Sequence, residues 1–252
     1  MMMLRKAVVL CLLPLILVGC GGNNSSSSGN QRTPGQAQGV YEGTTSSGYN
    51  FDAIVLPNDK FFAIYGANTT VDGMMTGQGT SGASTYTANV TDFYYTGQTC
   101  TGSVSASYVA GSSLNGTLTE NCVATQTFSG TSLPASSFNY NTPASLSAIS
   151  GTWTGVLLDG ASATVTIGSN GNFSGSDSGC TFSGTITPDS SNKNFFDMSL
   201  TFGGPPCLDP NQTASGIAVD YLLSDGVTRQ LLAAVTGTSS GTSWGTVFAA
   251  NR

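Results

Sequence analysis

Apolar residues follow two different patterns along this chain. Ala7 to Val18 is a continuous apolar stretch of about twelve residues behind Arg5 and Lys6. That is the length of a signal-peptide core, short of the ~20 residues a membrane-spanning helix needs. From Gly39 onward the pattern becomes alternation over short runs, punctuated by turn residues, which marks strands. Phe51, Ala53 and Val55 alternate with Asp52 and Ile54. The turn Pro57-Asn58-Asp59 then leads into Phe61 to Tyr65. Ala163, Val165 and Ile167 alternate with threonines before Ser169-Asn170-Gly171, and Asn-Gly is a strong hairpin signal. Val219 to Leu223, Leu231 to Val235 and Trp244 to Ala249 continue the series. No segment has a helical period.

The pattern occurs twice. Gly39-Val40-Tyr41-Glu42-Gly43 matches Gly151-Thr152-Trp153-Thr154-Gly155. At the same offset Gly48 matches Gly160, Val55 matches Ile167, Asn58 matches Asn170 and Phe61 matches Phe173. Further on, Cys100-Thr101 resembles Cys180-Thr181. Leu118-Thr119 before Cys122 resembles Leu200-Thr201 before Cys207, and Gln126 to Gly130 resembles Gln212 to Gly216. Two copies of about eight strands each are therefore expected, and a period of this kind has to be recognised before the fold. The predicted fold is all-β: two tandem antiparallel β-barrels, or β-sandwiches, each stapled by one disulfide. Short antiparallel strands must hide their edges, which a barrel does completely and a sandwich partly.

The organisation that follows is a leader over 1–19, a cysteine and tether over 20–38, a first β domain over 39–130 and a second over 149–252. Between the copies, 131–148 carries two prolines, several serines, Phe138 and Tyr140. It reads as a linker or as a strap docked on the copies. Gly21 to Gln38 has no apolar residue beyond alanine and reads as a flexible spacer.

Cysteine usage sharpens this outline. Cys11 leaves with the leader, and Cys100, Cys122, Cys180 and Cys207 remain in the body. An even set in an oxidising compartment points to disulfides. The repeat pairs Cys100 with Cys122 and Cys180 with Cys207, one staple per copy. Each closure would contribute roughly 3 kcal/mol in the chain-entropy model.

Charge and chemistry remove options. Charged residues are 8% of the chain, far below the ~25% usual for soluble proteins. Loss of Arg5 and Lys6 would leave five basic against thirteen acidic residues, so no nucleic-acid partner is expected. The chain has no histidine, which excludes Ser-His-Asp and Cys-His catalysis. Without histidine or a CxxC spacing no metal is expected. Most acids sit beside Gly, Asn, Ser or Pro and read as turn formers. Glu42 and Asp52 occur only in the first copy, against Thr154 and Thr164. No catalytic residue, cofactor or enzymatic activity is expected. Tyr41 and Trp153, at equivalent positions, read as core. Phe93, Tyr94 and Tyr95 put neighbouring aromatics on opposite strand faces, so at least one should be exposed. They form the candidate contact surface for a sugar ring or protein, or else packing between the copies.

Leu17-Val18-Gly19-Cys20 resembles the lipobox of bacterial lipoproteins. The resemblance implies cleavage before Cys20, diacylation of Cys20 and firm membrane attachment through the acyl chains. Gly21 in place of aspartate resembles cargo sent to the outer membrane. The opening Gly-x-Tyr or Gly-x-Trp with a following glycine resembles the first strand of lipocalin-like and avidin-like barrels. The run GxYxGTTSSG, the VLP turn, SLNGT and FGGxPC resembles an uncharacterised group of proteobacterial two-repeat lipoproteins. The expectation is a non-catalytic binding or adhesion lipoprotein, anchored on the outer membrane and meeting an envelope or extracellular protein or a glycan. A structural role in envelope assembly, or carriage of a small ligand in a barrel cavity, are the alternatives.

Overall fold

The structure is a computed structural model, and it describes residues 36–67, 70–223 and 225–252. Leu17-Cys20, the leader and most of the tether lie outside the described residues.

Sixteen strands close into two eight-stranded antiparallel barrels, in which every strand pairs with its sequence neighbours and the last returns to the first. The first barrel comprises β1 (Gly39–Thr45), β2 (Asn50–Val55), β3 (Lys60–Gly66), β4 (Gly73–Ser81), β5 (Thr85–Tyr94), β6 (Thr99–Val109), β7 (Ser113–Glu120) and β8 (Gln126–Ser132). After a four-residue helix, α1 (Leu146–Ile149), the second comprises β9 (Gly151–Leu157), β10 (Ser162–Ile167), β11 (Asn172–Asp177) and β12 (Cys180–Pro188). It continues with β13 (Phe196–Phe202), β14 (Thr213–Leu222), β15 (Arg229–Ser239) and β16 (Thr242–Asn251). The alternative of sandwiches is thereby decided: closure leaves no open edge in either copy.

Each interior is built by the alternation legible in the sequence. Val55, Phe61, Tyr86, Ala88, Val90, Leu114 and Leu118 fill the first barrel. Val165, Ile167, Phe173, Ile186, Leu200, Leu231, Val235 and Phe248 fill the second. Tyr41 and Trp153 are fully buried and close the same end of each barrel in the same way. The Tyr41 hydroxyl donates to the Ala37 carbonyl (2.9 Å), and Trp153 Nε1–H donates to the Ile149 carbonyl (2.7 Å). Both contacts reach four residues back, so each copy seals itself with its own lead-in segment.

A third apolar cluster belongs to neither interior. Val40, Ile54, Phe62, Met74 and Phe93 from outer faces of the first barrel pack with Ile217, Tyr221, Leu232, Ala234 and Val247 from the second. Both barrels lie in one compact unit, Thr33–Arg252. Gly245 marks the closest approach: a Cβ there would stand 2.5 Å from the Met74 methyl and 2.6 Å from the Phe93 ring. Of the 131–148 segment, 131–132 finish β8 and 146–148 belong to α1, and the stretch between is docked on the barrels. Phe138 and Tyr140 are buried in the inter-barrel cluster. The Tyr140 hydroxyl donates to the Val55 carbonyl (3.2 Å), and the Asn194 amide donates to the Tyr140 carbonyl (3.0 Å).

Disulfides join Cys100 to Cys122 and Cys180 to Cys207. The pairs are those the repeat pointed to, but the correspondence behind them needs correcting. Cys100 opens the sixth strand of its barrel and Cys122 follows the seventh. Cys180 opens the fourth strand and Cys207 follows the fifth. Likewise Gln126 opens an eighth strand whereas Gln212 precedes a sixth. The first three strands do align at one offset. Beyond them, Thr- and Gly-rich strands resemble each other wherever they stand in a sheet, so the Cys-Thr and Leu-Thr pairs align by composition and not by place.

Candidate functional site

Each barrel is sealed at its plugged end and hollow toward the other, where the disulfides lie. A cavity of about 570 Å³ occupies the second barrel and extends past its mouth, where Tyr94, Tyr95 and Gly97 of the first barrel also bound it. Its wall is formed by Val165, Phe173, Ile186, Leu200, Leu231 and Val235, with Phe182, Phe202 and Trp244 nearer the mouth. These three rings stack edge to face or tilted, with centroids 5.5–6.2 Å apart. The Trp244 ring lines this cavity, and its Nε1–H is buried without a hydrogen-bond partner. Asp177, Ser178 and Asp209 stand at the rim together with Leu208, which is 96% exposed. The second barrel's buried acid, Asp220, lies outside this lining and is neutralised by Arg229, whose Nε donates to Asp220 Oδ1 (3.1 Å).

The first barrel holds a cavity of about 300 Å³ with a different character. Its deep part is apolar, with Phe51, Val55, Ala63, Leu114 and Phe128. Toward the mouth it meets Tyr49, Tyr65, Tyr94 and Glu120. Tyr65 stacks edge-on against Tyr49 (5.6 Å) and Tyr94 (6.1 Å). Gly73 makes room for it, since a Cβ there would stand 2.1 Å from the Tyr65 oxygen. The Tyr65 hydroxyl donates to Asp92 Oδ2 (2.8 Å).

Asp92 is fully buried, and Glu120 is 8% exposed. Both follow the inward phase of their strands, one on each side of β6: Asp92 pairs with Cys100, and Glu120 pairs with Gly102. Asp92 Oδ1 and both oxygens of Glu120 have no hydrogen-bond partner. Burial pushes the Asp92 carboxyl up to about 7; the Tyr65 hydrogen bond works against this and the Glu120 charge adds to it. Burial raises Glu120 as well. The Tyr65 hydroxyl is driven far up by burial and then by Asp92. The Arg229–Asp220 pair is the one ion pair among the described residues, so none of their cations is paired with the two acids.

The residues singled out from the sequence separate in space. Phe93, Tyr94 and Tyr95 do not form one contact surface: Phe93 follows the alternative of packing between the copies, and Tyr95 is the exposed one. Phe93 is buried against the second barrel, Tyr94 lines the first cavity, and Tyr95 is 56% exposed beside the second cavity's rim. Phe93 and Tyr94 point to opposite faces of β5, one covered by the second barrel and the other turned into the first. Glu42 and Asp52 are cross-strand neighbours on the outer wall, as Thr154 and Thr164 are in the second copy. Burial between the barrels, and then Glu42, push Asp52 up to about 6, opposed by the Tyr221 hydroxyl. Asp92 and Glu120 were hidden among apparent turn formers. The available signal was phase: Asp92 continues Tyr86, Ala88 and Val90, and Glu120 continues Leu114 and Leu118.

No family model matches the chain, and no curated protein matches it. A solved structure, a protein with unknown function from the DUF3598 family of Nostoc punctiforme, is similar at 13% identity. The similarity covers 86% of this chain and 96% of that one, with a TM-score of 0.27. A likeness of that size carries no argument about function.

Proposed function

We propose that the protein is a non-catalytic, extracytoplasmic binding protein. In this reading its second barrel takes up a small, uncharged, apolar molecule bearing one acceptor oxygen. The observation that carries this reading is the 570 Å³ cavity, within the range of natural ligand sites. Its wall is apolar, and its buried Trp244 Nε1–H has no partner. An unmade hydrogen bond costs a buried donor about 1–3 kcal/mol, which an acceptor on the ligand would relieve. The acidic rim argues against fatty acids or other anions. The absence of histidine from the sequence supports binding over catalysis.

The two tryptophans of the chain are Trp153 and Trp244, both in the second barrel, so tryptophan fluorescence reports on that barrel alone. β-Ionone, an apolar ring with a single conjugated carbonyl, should quench it with micromolar affinity. Ala233→Phe, which fills the cavity, should weaken that binding at least tenfold, and Trp244→Phe should weaken it several-fold. Absence of quenching together with an unchanged melting temperature would sink this reading.

Membrane attachment through Cys20 belongs to the same reading. It is supported by Leu17-Val18-Gly19-Cys20 and by two disulfides suited to an oxidising compartment. Metabolic labelling with an alkynyl fatty acid should mark the wild-type protein and leave Cys20→Ala unmarked. Labelling of both would remove the anchor from the reading.

A further inference from the structure

We propose that the first barrel is a separate binding site for an organic ammonium ion. The charged head would lie against Glu120, with Asp92 buried behind it, among the faces of Tyr49, Tyr65 and Tyr94, and an apolar tail would run toward Phe51 and Phe128.

Three independent features converge on this ligand class. The first is uncompensated charge. Asp92 and Glu120 are both more than nine-tenths buried; the two carboxyls are hydrogen-bond neighbours that can share one proton, and once both ionise three of their four oxygens have no hydrogen-bond donor. Isolated buried carboxylates are strongly disfavoured, and a buried acid is normally paired. The second barrel obeys that rule through Asp220 and Arg229. The first barrel breaks it at a cavity that has room for a partner from outside.

The second feature is the aromatic lining. Tyr49, Tyr65 and Tyr94 meet edge to face around Glu120, and clustered aromatic faces attract organic cations through the ring quadrupole. A small metal ion suits the place poorly. It would find two carboxylates, and no group of three His, Cys, Asp or Glu side chains stands together among the described residues. The third feature is shape. Beyond the tyrosines the walls are Phe51, Ala63, Leu114 and Phe128, which suit the body of an amphiphilic amine and would leave a hydrated ion without ligands.

The two acids face each other, and around them stand Tyr65 from β3, Tyr94 from β5 and Cys100 of β6, the cross-strand neighbour of Asp92. No histidine, lysine or arginine is among them. Ionisation of the carboxyls therefore governs affinity, and a bound ammonium ion would release protons near neutral pH.

The test is calorimetric titration of the oxidised full chain with benzyltrimethylammonium chloride, with uncharged 3-phenyl-1-propanol as the size control. At pH 8 the cation should bind at least tenfold more tightly than the alcohol, and its affinity should fall at least tenfold by pH 5. Glu120→Gln and Asp92→Asn should each lose at least tenfold in cation affinity while raising the melting temperature at pH 8. That pairing of lost binding with gained stability separates a ligand site from a structural acid pair, whose neutralisation would lower the melting temperature. Absence of cation binding at pH 8, equal binding of cation and alcohol, or unchanged affinity in both variants would each overturn the proposal. A variant that fails to fold is recognised by its melt, and the other variant then decides.

Discussion

The two barrels share a closure and differ in what they leave unfinished. Each has eight strands and an aromatic side chain bonded four residues back at the sealed end. Each interior also buries acid, and there the copies part. Asp220 is held by Arg229 at the edge of an otherwise apolar barrel. Glu120 lines a cavity with Asp92 behind it, and among the described residues no basic side chain pairs with either. A duplicated scaffold thus keeps the plug, which the fold requires, and varies the lining, which the fold tolerates. A binding protein with two unlike ligands has the same requirement.

The largest effect should come from breaking what the barrels have in common. Trp153→Ala removes a fully buried side chain and its hydrogen bond, at an expected cost of about 3–5 kcal/mol. Urea unfolding followed by far-ultraviolet circular dichroism should show a second-barrel transition at lower denaturant, ahead of the first. A single transition shifted as a whole would show that the inter-barrel cluster couples the two.

Breaking the difference comes next. Arg229→Met strands Asp220 without its partner. Loss of one member of a buried pair costs about 3–5 kcal/mol, and the lower end applies because the Arg229 side chain is 40% exposed against 5% for Asp220. Asp220→Asn on that background should restore most of the loss. Glu120→Gln should act in the opposite sense and stabilise the protein at pH 8. The same chemistry would then change sign between barrels.

The inter-barrel contact offers a smaller effect. Gly245→Val forces a side chain against Met74 and Phe93 and should cost about 1–3 kcal/mol by overpacking. Small-angle scattering would register any loosening of the pair. Tyr41→Phe, which deletes only the hydroxyl bonded to Ala37, should cost about 1 kcal/mol.

Stability against pH sharpens the comparison without mutation. Asp92 is raised from its ordinary value to about 7. Between about pH 4 and pH 7 the folded state therefore holds more protons than the unfolded state. Stability falls as pH rises through that window and levels off above it. Asp52, raised to about 6, contributes in the same direction from the outer wall. Asp92→Asn should flatten the upper part of the slope and Asp52→Asn the lower. A slope left intact in Asp92→Asn would place the buried charge elsewhere.

Much of this architecture was legible along the chain, because a closed sheet imposes period two on every strand. Phe51 to Val55, Ala163 to Ile167 and Leu231 to Val235 all declared themselves in that way. Trp153 and Tyr41 were visible as core from the repeat. Legibility failed where composition imitates position. The Cys-Thr and Leu-Thr segments look alike and occupy different strands, although the disulfide pairs drawn from them stand. For Phe93 the sequence left two readings open, and the second barrel covering its outward face decided for packing between the copies. Asp92 and Glu120 were passed over because an acid next to a threonine or an asparagine resembles a turn former. Only their phase within a strand showed otherwise.

Alternation, turn residues and an internal repeat determine by themselves that this chain makes two β domains with one staple each. Those signals are local, and a strand needs only its own two faces to express them. Which strand neighbours which disulfide, and which outer face meets the other barrel, was decided by the tertiary structure. So was the placing of two carboxylates across a sixth strand beside an unfilled space. Each of these depends on how the sheet curls on itself, and side chains thirty residues apart become neighbours only once it has closed.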